Sequence, residues 1–467
     1  MRGVNPQAFP RDFRFGVATS AYQVEGAAFE DGKGASIWDA FVQQPGAILD
    51  GSTGAVACDH YHRFEADLDL IAALGVNAYR LSISWPRVFP TGRGKINSRG
   101  VDYYERLIDG LLGHGIEPWV TLYHWDLPIT LEEHGGWPVR DTAFAFAEYA
   151  ERMATLLGDR VAGWITLNEP FNAATLGYGA GTHAPGRRNP RATLAAAHHM
   201  LLAHGLSVPI LRANSRGMAS SNVGIALSLN HVEAATDSAG DGLAARVLDG
   251  FLNRWFLDPI FNRGYPSDLE MFVQSQMPDF PGKDLDDIGV GLDFVGVNYY
   301  TRHLVRAPKP GTVMDGMNAL LKQLGLPIEV VPEAERGNAV TEMGWEVYPD
   351  GLLKVLRRVY RHYEPRALVI TENGVAFTDR PEPDGSILDE SRRAYLESHL
   401  EVALRAVQEG VPLEGYFCWA LMDNFEWAEG VSKRFGLYHV DFVSQERRLK
   451  HSGQWFRDIV RQARNRP

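Results

Sequence analysis

Only two of the 467 residues are cysteine, Cys58 and Cys418. Two thiols build neither a disulfide framework nor a cysteine-based zinc site. No Asn-x-Ser/Thr acceptor occurs anywhere in the chain. The first 15 residues mix charge, proline and aromatics and hold no apolar stretch of signal-peptide length. No apolar run reaches the ~18 residues expected of a spanning helix. A reducing cytoplasm without a membrane partner is the simplest expectation from these absences. Positive charge is also scarce: 46 Lys and Arg stand against 58 Asp and Glu, for a net charge of -12. That balance disfavours a protein that grips phosphate backbones, so no nucleic-acid partner is expected. The one stretch resembling a phosphate loop, Thr91-Gly92-Arg93-Gly94-Lys95, lacks the first glycine and the Ser/Thr after the lysine. Internal repeats, low-complexity tracts and an interdomain linker are missing as well, so residues 1–467 read as a single domain.

What is present centres on Ile370-Thr371-Glu372-Asn373-Gly374. Leu368, Val369 and Ile370 are β-formers that read as the end of a buried strand, and Gly374 permits a sharp exit. A second stretch, Trp164-Ile165-Thr166-Leu167-Asn168-Glu169-Pro170, has the same form: apolar, β-prone, ending in an acid and stopped by proline. Two carboxylates delivered to strand tips from distant parts of a chain are what acid/base cleavage of a glycosidic bond requires.

The rest of the chain alternates. Strands are expected at 13–20, 76–84, 116–123, 164–169, 223–229, 294–300, 368–372 and 416–421. Between them, helical spacing occurs at 63–74, 101–112, 141–157, 192–211, 241–256, 352–359 and 391–407, with a last helix at 454–464. Asp141 is expected to cap its helix, Pro349 to start one, and Gly75, Gly158 and Gly410 to stop others. A loop-rich segment covers 307–348. Eight alternating units predict an α/β fold, a single (β/α)8 TIM barrel with long βα loops. In such a barrel every strand's C-terminal end faces one rim, where active sites lie. The residues expected at or near strand ends are polar or aromatic: Gln23, Arg80, His124, Asn168, Glu169, Asn298, Tyr300, Glu372 and Trp419.

Further motifs extend the pattern. Phe15-Gly16-Val17-Ala18-Thr19-Ser20-Ala21-Tyr22-Gln23-Val24-Glu25-Gly26, Tyr79-Arg80-Leu81-Ser82-Ile83-Ser84-Trp85-Pro86-Arg87 and Asp423-Asn424-Phe425-Glu426-Trp427 stand in order beside the two glutamate stretches. Over essentially its whole length the chain resembles glycoside hydrolase family 1, the retaining β-glucosidases and β-galactosidases. The resemblance implies Glu169 as acid/base and Glu372 as nucleophile, with Arg80, Asn298 and Tyr300 in support. It implies Gln23, His124, Asn168, Glu426 and Trp427 as partners of the sugar hydroxyls and Trp419 as the aromatic floor. Trp125, His183 and Trp345 resemble residues lining the aglycone side. No cofactor or metal is implied, and small β-glycosides are the implied partners; oligomeric state stays open. Thioglucoside-cleaving members carry Gln at the acid position, whereas Glu169 stands here. The 6-phosphoglycosidases replace the Glu-Trp pair, whereas Glu426-Trp427 is retained and Phe435 occupies their tyrosine position.

The chemistry fits the implied roles. Two carboxyl groups ~5 Å apart, as retention needs, repel by about 3 kcal/mol at an effective dielectric of ~20, roughly two pKa units. One is therefore ionised and the other holds a proton. Two rival readings are weaker. A metal-dependent hydrolase would have to be built on the pairs His60/His62 or His198/His199, which lack a His-Glu-x-x-His pattern. A sugar-binding module without activity would be expected to have lost one glutamate.

Overall fold

The computed structural model describes residues 3–217, 220, 222–309, 316–332 and 335–465. Eight parallel strands form a closed barrel in chain order: β1 (Arg14–Ala18), β2 (Ala78–Ser82), β3 (Glu117–Tyr123), β4 (Gly163–Asn168), β5 (Val223–Ser228), β6 (Phe294–Asn298), β7 (Leu368–Asn373) and β8 (Leu413–Trp419). All eight expected strands are present, and helices lie between them. Their apolar, β-branched runs suit strands covered on both faces.

The barrel interior is filled by side chains. Trp119 meets Phe294 and Phe417 with ring centroids 5.1 and 5.6 Å apart. Small residues on neighbouring strands, Ala18, Ala78 and Ala226, complete this packed layer. Gly16 makes room for it, since a Cβ there would stand 2.4 Å from the Phe417 ring. A larger apolar cluster fills the space between the strands and the surrounding helices.

Several local expectations are corrected. The helix Asp141–Leu157 is not capped by Asp141: Arg140 holds the N-cap position, and the Asp141 carboxylate accepts from Arg93 Nη1 at 2.8 Å. At the expected exit after β7, Gly374 is required because a Cβ there would lie 1.7 Å from the Trp419 carbonyl oxygen. The expected helix 241–256 is longer, running Ala239–Asp249, then a π-helical stretch Gly250–Arg254, then Trp255–Ile260. Pro190–Asn214 is long and apolar enough to cross a membrane by length and composition, contrary to the expectation of no such run. Most of its apolar stretch is nonetheless buried within the protein.

The 307–348 segment holds more order than a loop. Its Glu329–Val330 strand joins His231–Ala234 and Arg302–Arg306 in a three-stranded sheet, with the helix Gly316–Gln323 alongside in sequence. This sheet grows from the ends of β5 and β6 and raises one side of the rim.

Candidate active site

Register between neighbouring strands brings the distant residues together. Asn298 pairs with Glu372 across β6 and β7, and Arg80 pairs with Ala18 across β1 and β2. Asn168 and Asn298 are the last residues of their strands, and Glu169 and His124 follow β4 and β3 directly. Arg80 departs from the strand-end expectation. It sits mid-strand in β2, fully buried, and its long side chain reaches the site.

Arg80 is the hub. Its Nη1 donates to Glu372 Oε1 at 2.5 Å and to the Thr371 carbonyl at 3.0 Å. Its Nη2 donates to Asn168 Oδ1 at 2.6 Å and its Nε to Thr121 Oγ1 at 3.1 Å. The other Glu372 oxygen, Oε2, accepts from the Tyr300 hydroxyl at 2.7 Å. Glu372 thus has a cation on one oxygen and a hydroxyl donor on the other.

Glu169 has a different environment. It adopts left-handed backbone angles, φ 47° and ψ 61°, at the N-cap of the short helix Pro170–Ala174. Such angles are strained for a side chain other than glycine. Its carboxyl accepts from Asn298 Nδ2 at 3.0 Å and from Asn172 Nδ2 at 2.8 Å, and no cation among the described residues bonds it. Burial pushes its pKa up, and the neighbouring Glu372 charge pushes it further, to about 8. Glu426 is raised to about 8 by burial first, then by the charges of Glu372 and Glu169.

Asn168 links these groups. Its Oδ1 accepts from Arg80 and from Asn298 Nδ2, so its Nδ2 is the donor to His124 Nε2 at 3.0 Å. An imidazole that accepts at Nε2 carries its proton on Nδ1. Burial, reinforced by the Arg80 charge, holds the His124 pKa well below the usual range, so the ring is neutral. Gln23 accepts from Ser20 Oγ at 2.6 Å and donates to the Phe425 carbonyl at 2.9 Å and to Asn424 Oδ1 at 3.1 Å. It therefore ties the first βα segment to the loop that carries Glu426.

These groups surround a cavity of about 310 Å³ at the C-terminal rim. Glu169, Glu372, Glu426, His124, Tyr300, Trp419 and Trp427 line it, as do Trp125, His183 and Trp345. Gln23, Arg80, Asn168 and Asn298 sit behind its wall. Aromatic rings form a continuous surface: Trp427 lies 4.6 Å from Trp125, His124 stacks 5.8 Å from Trp419, and Trp345 meets Tyr300 at 5.3 Å. His183 packs between Trp38 and Trp125, at 5.4 and 5.5 Å. Asn172 escaped the sequence reading. Its position three residues after Glu169 on a helical turn is the signal that would have found it.

The two histidine pairs have other partners. His60 bonds Asp67 at 2.8 Å, and His198 lies between Tyr265 and Asp284 at 2.8 and 3.2 Å. Both cysteines are free and buried.

Comparisons with known proteins agree with this geometry. The family model described as Glycosyl hydrolase family 1 matches residues 5–465. Beta-glucosidase A of Thermotoga maritima is 43% identical over 459 residues, covering 98% of this chain and 99% of that one. A bifunctional beta-D-glucosidase/beta-D-fucosidase of Bifidobacterium breve is 44% identical over 463 residues, covering 97% and 98%. A solved family 1 β-glucosidase structure from Thermotoga maritima superposes with a TM-score of 0.92 at 43% identity, covering 98% and 99% of the two chains. With a match of this extent over a closed barrel whose rim carries both glutamates, the chain belongs to glycosyl hydrolase family 1.

Proposed function

We propose that this protein is a retaining β-glucosidase that releases terminal β-D-glucosyl residues from aryl glucosides and short oligosaccharides such as cellobiose. Side activity on β-galactosides and β-fucosides, and transfer of the sugar to acceptors other than water, belong to the same reading. The observation that carries it is the unequal treatment of two buried acids. Glu372 is held by Arg80 and Tyr300, while Glu169 is bonded by no cation among the described residues and keeps its proton up to about pH 8.

In the first step a Glu372 oxygen attacks the anomeric carbon. The bond to the leaving oxygen breaks as Glu169 donates its proton to that oxygen. The Glu372 charge is now consumed in an ester. The repulsion that raised Glu169 is removed, its pKa falls, and it becomes a base able to deprotonate an incoming water. That water displaces Glu372, and two inversions give net retention.

Asn168, Gln23, His124, Glu426 and Trp427 hold the glucosyl hydroxyls, and Trp419 lies under the ring as a floor. Asn298 positions the Glu169 carboxyl. Trp125, His183 and Trp345 belong to the aglycone side. The whole chain serves as one catalytic unit. Two free buried cysteines suit a cytoplasmic setting, and the substrates fit the breakdown of cellulose-derived oligosaccharides.

The test is chemical rescue. Glu372→Gly is expected to lose turnover by several orders of magnitude and to regain it with azide, yielding the α-glucosyl azide from a β-glucoside with a good leaving group. Full activity in Glu372→Gly without azide would end the assignment.

A further inference from the structure

Glu372 faces the cavity, and the next residue, Asn373, faces the opposite way, as consecutive strand residues do. There it meets Tyr395 of the helix Glu390–Gln408 and Tyr416 of β8. All three side chains are buried, and none of them lines the cavity. Their hydrogen bonds run in one direction. A backbone carbonyl only accepts, so the Asn373 group that meets the Tyr299 carbonyl at 2.7 Å is its amide nitrogen. Asn373 Oδ1 then accepts from the Tyr416 hydroxyl at 2.7 Å, and Nδ2 also donates to the Tyr395 hydroxyl at 3.1 Å. The Tyr395 hydroxyl donates in turn to the Tyr300 carbonyl at 3.1 Å. Burial pushes the Tyr395 pKa up, so the hydroxyl keeps the proton it donates.

The two carbonyls so held lie just past the end of β6. Where that strand ends, the Tyr299 N–H donates to the Glu372 carbonyl at 3.0 Å. Beyond that bond side chains continue the pairing. A carbonyl out of reach of water needs a donor, and Asn373 and Tyr395 supply one to each. Neighbouring side chains are fastened elsewhere: the Tyr299 hydroxyl donates to the Tyr348 carbonyl at 2.6 Å and the Thr301 hydroxyl to the Glu346 carbonyl at 2.9 Å. Those bonds tie the segment to residues 346–348, whereas the bonds from Asn373 and Tyr395 tie it to the strand that carries Glu372.

The Tyr300 hydroxyl, which bonds Glu372 Oε2 at 2.7 Å, stands at the far end of a long side chain. A small turn of the backbone beneath it is magnified at the oxygen. We propose that Asn373 and Tyr395 are positioning residues, which clamp the backbone of Tyr299 and Tyr300 to β7 and so hold the Tyr300 hydroxyl on Glu372. This rests on the reading of Glu372 as the nucleophile of a retaining β-glucosidase, which gives the hydroxyl its use. When the ester to Glu372 breaks, charge returns to the carboxylate, and a donor already aimed at Oε2 receives it without reorganisation.

Tyr395→Phe keeps the ring and removes both bonds of the hydroxyl. Kinetics with 2,4-dinitrophenyl β-glucoside read the second step, because so good a leaving group makes ester formation fast. In Tyr395→Phe kcat is expected to fall about tenfold. KM is expected to fall with it as the ester accumulates, whereas a site merely loosened would leave KM unchanged or raise it. In a Tyr300→Phe background the same change is expected to alter kcat by less than about twofold, since the hydroxyl it positions is gone. A crystal structure of Tyr395→Phe is expected to place the Tyr300 hydroxyl more than ~3.2 Å from Glu372 Oε2, outside hydrogen-bond reach. Tyr416→Phe, which removes one bond at the outer end of the chain, is expected to show the same pattern at smaller size, and it replaces Tyr395→Phe in both measurements if that variant does not fold. Equal losses of kcat in the two backgrounds, a raised KM, or a Tyr300 hydroxyl still bonded to Glu372 would overturn the proposal. Failure of the parent to cleave the glucoside would instead strike the β-glucosidase reading, with the crystal structure still deciding the clamp.

Discussion

Glu169 and Glu372 are the same residue type at the ends of two equivalent strands, and their neighbours alone divide the work. Arg80 and Tyr300 bond Glu372, whereas the donors to Glu169 among the described residues are the side-chain amides of Asn172 and Asn298. The proposed switch from acid to base depends on the Glu372 charge acting on Glu169. Glu372→Gln removes that charge with little change in shape. The Glu169 pKa is then expected to fall from about 8 toward, though not to, the ordinary carboxyl range, because burial is the larger cause and remains. A carbon-13 NMR titration of labelled glutamate carboxyls reads this directly, and an unmoved or higher pKa in Glu372→Gln would contradict the electrostatic account. The acids themselves were legible in the sequence because each ends an apolar run. Their division of labour was legible only through the family resemblance, since Arg80 comes from a strand nearly 300 positions from Glu372 and sits in its middle.

Elements outside the rim hold the Glu426 loop in place. Lys450, fully buried just before the last helix, donates to Asp379 at 2.5 Å and to Asp423 at 2.6 Å. Arg434 donates to the other Asp423 oxygen at 2.8 Å, and Arg392 holds Asp379 at 3.0 Å. Asp423 stands three residues before Glu426, so this network joins the C-terminal helix to the loop that carries Glu426. Burial lowers the Lys450 pKa and Arg392 adds to the effect, while both carboxylates oppose it. Breaking a buried ion network by removing one partner costs about 3–5 kcal/mol. Lys450→Met is therefore expected to lose stability on that scale in urea unfolding and to raise KM more than it lowers kcat. Unchanged stability would show that the network contributes nothing. Nothing in the local sequence marks Lys450, because its partners are reached only through the closed fold. The three-stranded sheet was missed for a related reason: its strands are short, and their pairing joins segments about 70 and 25 positions apart.

Taken as a whole, the molecule stores an unfavourable arrangement at its centre: Glu169 and Glu426 are buried carboxyls with pKa values raised to about 8 from an ordinary 4.5. The folded state holds these protons at pH values where the unfolded chain has released them. Their favourable contribution is complete below about pH 4.5 and is lost as pH rises through about 8. Each pKa unit corresponds to about 1.4 kcal/mol, so the loss is on the order of a few kcal/mol per group. Glu426→Gln removes one such group. Its stability is expected to decline less than the parent's between about pH 5 and about pH 8 in chemical unfolding, and an equal decline would refute the linkage. The barrel itself was readable from alternation, since apolar runs and helical spacing are local signals. The apolar part of the cavity was not, because Leu248, Leu252, Met317 and Val330 reach it from distant segments of the chain.

The central claim is that β4 and β7 carry two acids to one anomeric carbon, with Glu372 as the one that bonds it. Incubation with 2,4-dinitrophenyl 2-deoxy-2-fluoro-β-D-glucoside, followed by peptide mass spectrometry, tests this directly. The account predicts stoichiometric release of dinitrophenolate and a single fluoroglucosyl adduct on the peptide containing Ile370-Thr371-Glu372-Asn373-Gly374. An adduct on Glu169 or Glu426, or steady turnover with no adduct on Glu372, would contradict it.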